Sequence, residues 1–410
     1  MKLYVGIDVS SKDMKACLMN QDGASLHQLS VDNNFHGASY LRDQIVTVYD
    51  NGDFQSIQIG LEATSFYSWH PAMFFHEDQA LQARSTKVFT INPKLIRKFK
   101  EAYVDLDKND QVDAWLIADR LRFGRLPVTV VLQEQYVALQ RLTRMRYHLV
   151  KTLVREKQIF LQHLSYKCSS FTTEVETSSV YGVAILDLLL EKLTLEEISS
   201  MELEMLANFL REKSKNRYPD PECVAKSIQR AARSSYRLAK CVEDSIDLLL
   251  HTSIESIRSI KTQIKQLDKA IKKLLDVIPN TLQTIPGIGP VFCAGILAEI
   301  GDISRFENQA SLAKYAGLSW KKHQSGSFQA EETNLIRTGN RYLRYYLVEA
   351  ANSVQRNESE YRAYYQKKYQ EVPKHKHKRA LVLTARKLVR LVDALLRNNQ
   401  IYMPGRMVNR

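Results

Sequence analysis

The chain has 410 residues, 44% of them hydrophobic, enough for two or three domains, each with its own core. Its formal charge of +13, from 58 Lys and Arg against 45 Asp and Glu, favours a polyanionic partner, nucleic acid foremost. No apolar run approaches the ~18 residues of a helical membrane span. Cys17, Cys168, Cys223, Cys241 and Cys293 form no CxxC pair, which argues against a disulfide framework and a zinc knuckle. With no secretory pattern before the first strand, the expected location is a reducing cytoplasm.

In chain order, YVGIDV reads as a strand, SSKD as a connection, MKACLM as a second strand and SLHQLSV, after the turn residues NQDG, as a third. LRDQIVTVY reads as a helix, QSIQIGLEA as a strand and QARSTKVFTIN as a further strand before Pro93 opens a helix. DQVDAWLIADRL, from Asp110, is helical. Three hairpin-joined strands followed by strand–helix alternation predict a mixed α/β sheet covered by helices.

Residues 130–280 carry no strand pattern. Ile246, Leu250, Ser253, Ile257, Ile260, Ile264, Leu267, Ile271, Leu274 and Ile278 keep a 4–3 spacing, apolar except for Ser253, as in a coiled-coil seam. That seam would extend roughly 50 Å at about 1.5 Å per residue. A second basic helical stretch, Leu139 to Leu164, suggests an antiparallel arm or an oligomerisation device. Pro279 is expected to end the long helix, and TIPGIGPVFCAGILAEIGDISRF places Gly-rich turn chemistry between helical segments.

Two strands share a grammar. In VGIDVS, Gly6 precedes Asp8 by two residues; in IGLEAT, Gly60 precedes Glu62 by two. Residues two apart in a strand share a face, so each acid projects beside a glycine that leaves room. Asp110 and Asp113 are i and i+3 on a helix and therefore neighbours. The plainer readings are that Asp8 ends an edge strand facing water and that Asp110 caps its helix. Four gathered carboxylates would need cations, and hard divalent ions suit them: two Mg²⁺, with Mn²⁺ as the alternative, about 3.5–4 Å apart. Such a site in a basic chain would cut or transfer nucleic-acid strands.

Strand acid, hairpin, strand acid and a helix with the last acids resembles the RNase H-like, RuvC-like nucleases. Asp8, Glu62, Asp110 and Asp113 resemble the D–E–D–D set of the IS one-ten family of insertion-sequence transposases, whose DxxDA is matched by DQVDA. Asp107 falls outside the pattern. INPKLIRKF also resembles that family, with Lys94, Arg97 and Lys98 as phosphate contacts. IPGIGPVFCAGILAEIGDISRF resembles the start of its second domain and a helix-hairpin-helix, in which backbone N–H groups around Gly287 and Gly289 would meet phosphates. Ser325-Gly326 fits its SG dipeptide, and Thr338-Gly339-Asn340-Arg341 with Leu343-Arg344 fits the segment that follows.

The resemblance implies that Ser325 is a nucleophile whose phosphoserine link conserves bond energy for rejoining. Arg337, Arg341 and Arg344 are candidates to hold the phosphate, although FQAEETN is more acidic than the family's usual stretch. It also implies donor and target DNA, a bridge RNA pairing with both, and a homo-oligomer, dimer or tetramer, in which one subunit's serine domain completes another's metal domain. The expected domains are a RuvC-like metal-binding domain (1–125), a helical coiled-coil arm (126–278), a mostly α C-terminal domain carrying the serine (279–395) and a tail (396–410). The main rival is a plain metal-dependent endonuclease or junction resolvase without a covalent intermediate. A non-catalytic nucleic-acid scaffold is a second. An actin-like kinase, suggested by YVGIDVSSK, is a third, but the chain lacks the second phosphate loop of the DxGxxT kind.

Overall fold

A computed structural model describes residues 1–63, 66–103, 110–124, 133–191, 193–320, 324–325, 328–329, 335 and 339–404; for Asp110 and residues 324, 325, 328 and 329 it describes the backbone only. The chain divides into two compact units, Met1–Tyr136 with Ile300–Tyr315 and Val389–Asn398, and Val137–Glu299 with Ala316–Leu388 and Asn399–Arg410.

The first unit is built on β1 (Lys2–Val9), β2 (Asp13–Met19), β3 (Ser25–Asp32), α1 (Phe35–Asp50), β4 (Ser56–Glu62), α2 (Trp69–Glu77), α3 (Gln79–Gln82), β5 (Lys87–Ile91), α4 (Pro93–Lys100) and α5 (Asp110–Phe123). The strand order is β3-β2-β1-β4-β5. β1 pairs antiparallel with β2 and parallel with β4, which pairs parallel with β5. Alternation along β1 divides the core. Leu3, Val5, Ile7 and Val9 pack with Leu41 and Ile45 of α1 and Phe75 of α2. Tyr4 joins Cys17, Met19, Phe89 and Ile91 on the opposite face, under Ile96 of α4 and Ala114, Ile117, Ala118 and Leu121 of α5. The expected mixed α/β sheet is present. No expected element corresponds to α2, and the end of α3 with the turn after it occupies the start of QARSTKVFTIN, so the strand begins only at Lys87, where β5 pairs with β4.

The second unit is mostly helical. It comprises most of α6 (Glu134–Lys167), then α7 (Phe171–Glu174), α8 (Val183–Leu190), α9 (Leu195–Ser200), α10 (Leu203–Lys213), α11 (Pro221–Ser234) and α12 (Lys240–Leu275). Further along the chain are α13 (Pro290–Ile300), α14 (Gln309–Ala316), the two-residue strands β6 (Gln324–Ser325) and β7 (Phe328–Gln329), α15 (Arg341–Asn357), α16 (Ser359–Gln370) and α17 (Lys376–Asn398). Arg146 pairs with Asp268 at 2.5 Å and Lys167 with Asp247, so α6 and α12 run antiparallel, as an arm requires.

Ile246, Leu250 and Ile257 of the seam, with the neighbouring Ile254, are buried against Phe160 and Leu164 of α6 and against α8 and α11, so the first half of the seam is used within the chain. The helix ends at Leu275, not at Pro279. Ile278 N donates to Leu275 O at 3.0 Å, and this turn carries the buried Ile278 into the core without the helical repeat.

Candidate active site

β1 and β4 pair Gly6 with Gly60 and Ile7 with Leu61, the last pair of the ladder, and Asp8 and Glu62 are the next residues toward the carboxyl ends of their strands. In open sheets with parallel strands, that end is where ligands bind. Both acids are half-buried and share the face of their glycines. The space beside the glycines is filled. A Cβ on Gly6 would lie 2.2 Å from Ala114 O and 2.3 Å from Ala118 N, and one on Gly60 would lie 2.9 Å from the Leu121 side chain. The missing side chains thus admit α5, the helix that carries Asp110 and Asp113, onto the strands that carry Asp8 and Glu62. Asp113 precedes Ala114 on α5, so Asp8, Glu62 and Asp113 lie on one side of the sheet.

Asp113 is half-buried and accepts a hydrogen bond from Lys100 Nζ at 2.8 Å. This ammonium, at the end of α4, had been passed over in the sequence, although it lies just beyond the INPKLIRKF segment. The donor type, partly shielded carboxylate oxygens, fits a hard divalent cation, while the Lys100 ammonium holds the place that such an ion would take at Asp113. Among the described residues, no group of three or more His, Cys, Asp or Glu stands close enough to hold an ion. The Asp110 side chain and all of Asp107 lie outside the described residues.

Farther along α5, Asp119 is buried and accepts from Arg122 Nε at 2.7 Å and from the Tyr103 hydroxyl. Burial first, then this carboxylate, pushes the Tyr103 phenol up to about 12. Asp119 is thereby committed to structure.

Lys94, Arg97 and Lys98 are exposed on α4, while Ile96 of the same helix enters the core. Ser325 lies in β6, paired in register with Phe328 of β7; its side chain is outside the described set, as are Gly326, Arg337 and Thr338. Arg341 is exposed and donates from Nη2 to the Tyr342 hydroxyl at 2.7 Å. Arg344 donates to Ala316 O at 3.4 Å. Gly287 has φ +95°, and a Cβ there would sit 2.9 Å from the Ser353 backbone, so packing against α15 by itself requires glycine. Nothing lies within 4 Å of a Cβ built on Gly289, which precedes α13. Among the described residues no helix is long and apolar enough to cross a membrane.

Comparison with known proteins matches this layout to one family. Residues 5–168 match the transposase profile of the IS110 DEDD type, and residues 280–366 match the profile described as transposase, IS116/IS110/IS902 family; together they span more than half of the chain. The chain is 23% identical over 408 residues to the uncharacterized 44.8 kDa protein of insertion element IS116 from Streptomyces clavuligerus, covering 98% of this chain and 97% of that one. It is 24% identical over 410 residues to the uncharacterized 42 kDa protein of insertion element IS900 from Mycobacterium paratuberculosis, covering 98% of each. A pilin gene-inverting protein of Moraxella bovis is 32% identical over 154 residues, covering 36% of this chain and 47% of that protein. The chain belongs to the IS110 family of transposases, enzymes that act on DNA through strand transfer.

Proposed function

We propose that the chain cleaves and rejoins DNA strands of its insertion sequence with divalent metal ions held by Asp8, Glu62, Asp110 and Asp113, and with Ser325 as the nucleophile. The observation that carries this reading is that Asp8 and Glu62 each follow directly on the paired residues Ile7 and Leu61 of adjacent parallel strands, under the helix bearing the other two acids. The strand order, with an antiparallel β1–β3 hairpin region and parallel β4 and β5, supports an RNase H-like fold of the RuvC type for residues 1–125.

Two bound divalent ions, Mg²⁺ or Mn²⁺, would stabilise charge on the attacking and leaving oxygens. The chain's own contribution is covalent and positional. Ser325 Oγ attacks the phosphorus, its proton leaves to a base, the bond to the strand's sugar oxygen breaks, and the 3′ or 5′ end so released stays available for the reverse step. The phosphoserine link keeps one phosphodiester's worth of bond energy, so rejoining needs no outside source. The exposed Lys94, Arg97 and Lys98 of α4 and Arg341 of α15, with backbone N–H groups near Gly287 and Gly289, would hold phosphates. Sequence choice would come from a bridge RNA paired with donor and target, leaving the protein to grip backbones in the cytoplasm. In a homo-oligomer, the serine domain of one subunit would complete the metal domain of another.

The test is to run the reaction on end-labelled donor DNA, quench it, digest the protein and map the label. Label on the peptide containing Ser325, lost in Ser325→Ala, supports the reading. Strand cleavage without any protein-linked label would replace it with the plain endonuclease.

A further inference from the structure

Glu299 lies within α13, in the otherwise apolar stretch PVFCAGILAEI, and none of it is exposed. A carboxylate buried alone is costly, so its surroundings should answer it with donors. They do. Arg144 of α6 donates to it twice, from Nε at 2.7 Å and Nη2 at 2.9 Å. Gln140 Nε2 donates at 3.3 Å, and Asn340 Nδ2 at 2.7 Å.

Asn340 is the N-cap of α15. Its Oδ1 accepts from Tyr342 N at 2.9 Å and Leu343 N at 3.1 Å while its amide nitrogen is tied to Glu299. Both ends of one side-chain amide are therefore assigned. The outer face of Arg144 lies 4.6 Å from the centre of the Tyr342 ring, which braces the same turn. Three elements, α6, α13 and the first turn of α15, are joined through one carboxylate. Asn340 also opens α15, the helix that follows Ser325 in the chain.

We infer that Glu299 is a positioning residue: through Asn340 it fixes the downstream anchor of the serine-bearing segment and so the place from which Ser325 attacks. This rests on the reading of Ser325 as nucleophile. A buried ion pair adds little net stability compared with apolar residues of the same volume, whereas it specifies one arrangement of the groups that satisfy it. Attack on phosphorus is the kind of step in which about 1 Å of misplacement costs up to about a hundredfold.

The chemistry of the contact supplies its own test, because donor and acceptor can be exchanged. In Asn340→Asp the cap is kept but two carboxylates face each other. In Glu299→Gln/Asn340→Asp the cluster regains its formal charge and the glutamine amide donates to the new aspartate. That nitrogen replaces the Oε2 that also accepts from Arg144 Nη2 and Gln140 Nε2, so recovery is partial. The full-length variants are assayed for loss of the element from a plasmid carrying it, and purified for thermal melting and for binding of a fluorescein-labelled duplex of the element's end. The expected result is a fall of at least about tenfold in recombination for Asn340→Asp, with part of that loss recovered in the exchanged pair, and duplex binding unchanged throughout. If Asn340→Asp melts early, Asn340→Ser decides, since it keeps the cap and cuts only the tie to Glu299; it should lose activity at an unchanged melting temperature.

Wild-type recombination in folded Asn340→Asp or in folded Asn340→Ser overturns the inference. Ser325→Ala is run alongside. If it stays active while the exchange pattern holds, the serine reading fails and Glu299 remains the anchor of α15.

Discussion

Gly6 of β1 lies directly beneath Ala114 of α5, with no room for even one methyl group between them: an added Cβ would stand 2.2 Å from the Ala114 carbonyl oxygen. The contact links the strand of Asp8 to the helix of Asp113. At Gly60, in the same register on β4, the nearest atoms belong to the Leu121 side chain, at 2.9 Å. Backbone cannot step aside as a leucine can. Gly6→Ala should therefore lower unfolding free energy by about 3 kcal/mol or more, and Gly60→Ala by about 1 kcal/mol. Urea unfolding of the two variants measures the difference, and equal losses would mean that α5 is not seated as described.

Lys167 and Asp247 tie α6 to α12, with the lysine side chain 2% and the aspartate side chain 11% exposed. Removing one charge leaves the other buried without its partner. Lys167→Met should cost about 3 kcal/mol, while Lys167→Met/Asp247→Leu should recover most of it. Chemical denaturation of the single and double variants, set out as a cycle, tests the pairing; additive losses would show the two are not coupled.

Tyr103 and Asp119 give a pH-dependent signature. The Tyr103 phenol is raised from its ordinary 10.0 to about 12, by burial first and then by its bond to the carboxylate. A raised value means that the folded state holds the proton more tightly. The stabilisation is fully present below about pH 10 and is lost as pH climbs toward 12. Tyr103→Phe should thus be less stable than wild type by about 1 kcal/mol from pH 7 to 9, and the gap should close above pH 10. Denaturant melts across that range would refute the bond if the gap stayed constant or widened.

Sharing of active sites between subunits has a genetic readout. Asp8→Ala and Ser325→Ala proteins, each inactive alone, should regain part of the wild-type recombination when co-expressed. Absence of any rescue in mixed oligomers, verified by differential tags, counts against sharing.

Much of the first unit was legible in the sequence because strands signal themselves locally: alternation in VGIDV and IQIGL marked two faces, and Pro93 marked the start of α4. The same alternation paired Gly6 with Asp8 and Gly60 with Glu62. The purpose of the glycines was not legible, since their partners Ala114 and Leu121 stand far along the chain and only folding brings them near. Lys100 and Glu299 were missed for a related reason. A lysine after a basic helix and a lone acid in an apolar one look ordinary until Asp113, Arg144 and Asn340 are seen against them. The seam of α12 was visible as periodicity, but periodicity does not say what covers it, and its first half is covered by α6, α8 and α11.

We expect carboxylates from β1, β4 and α5 to hold divalent ions for strand transfer. The most direct measurement is calorimetric titration of Mn²⁺ into the wild type and into Asp8→Asn, Glu62→Gln and Asp113→Asn, each checked for an unchanged melting curve. Wild type should bind Mn²⁺, and each variant should lose an ion or bind it at least about 100-fold more weakly, a larger effect than that of altering groups outside the ligand set. Wild-type stoichiometry and affinity in all three folded variants would contradict the account.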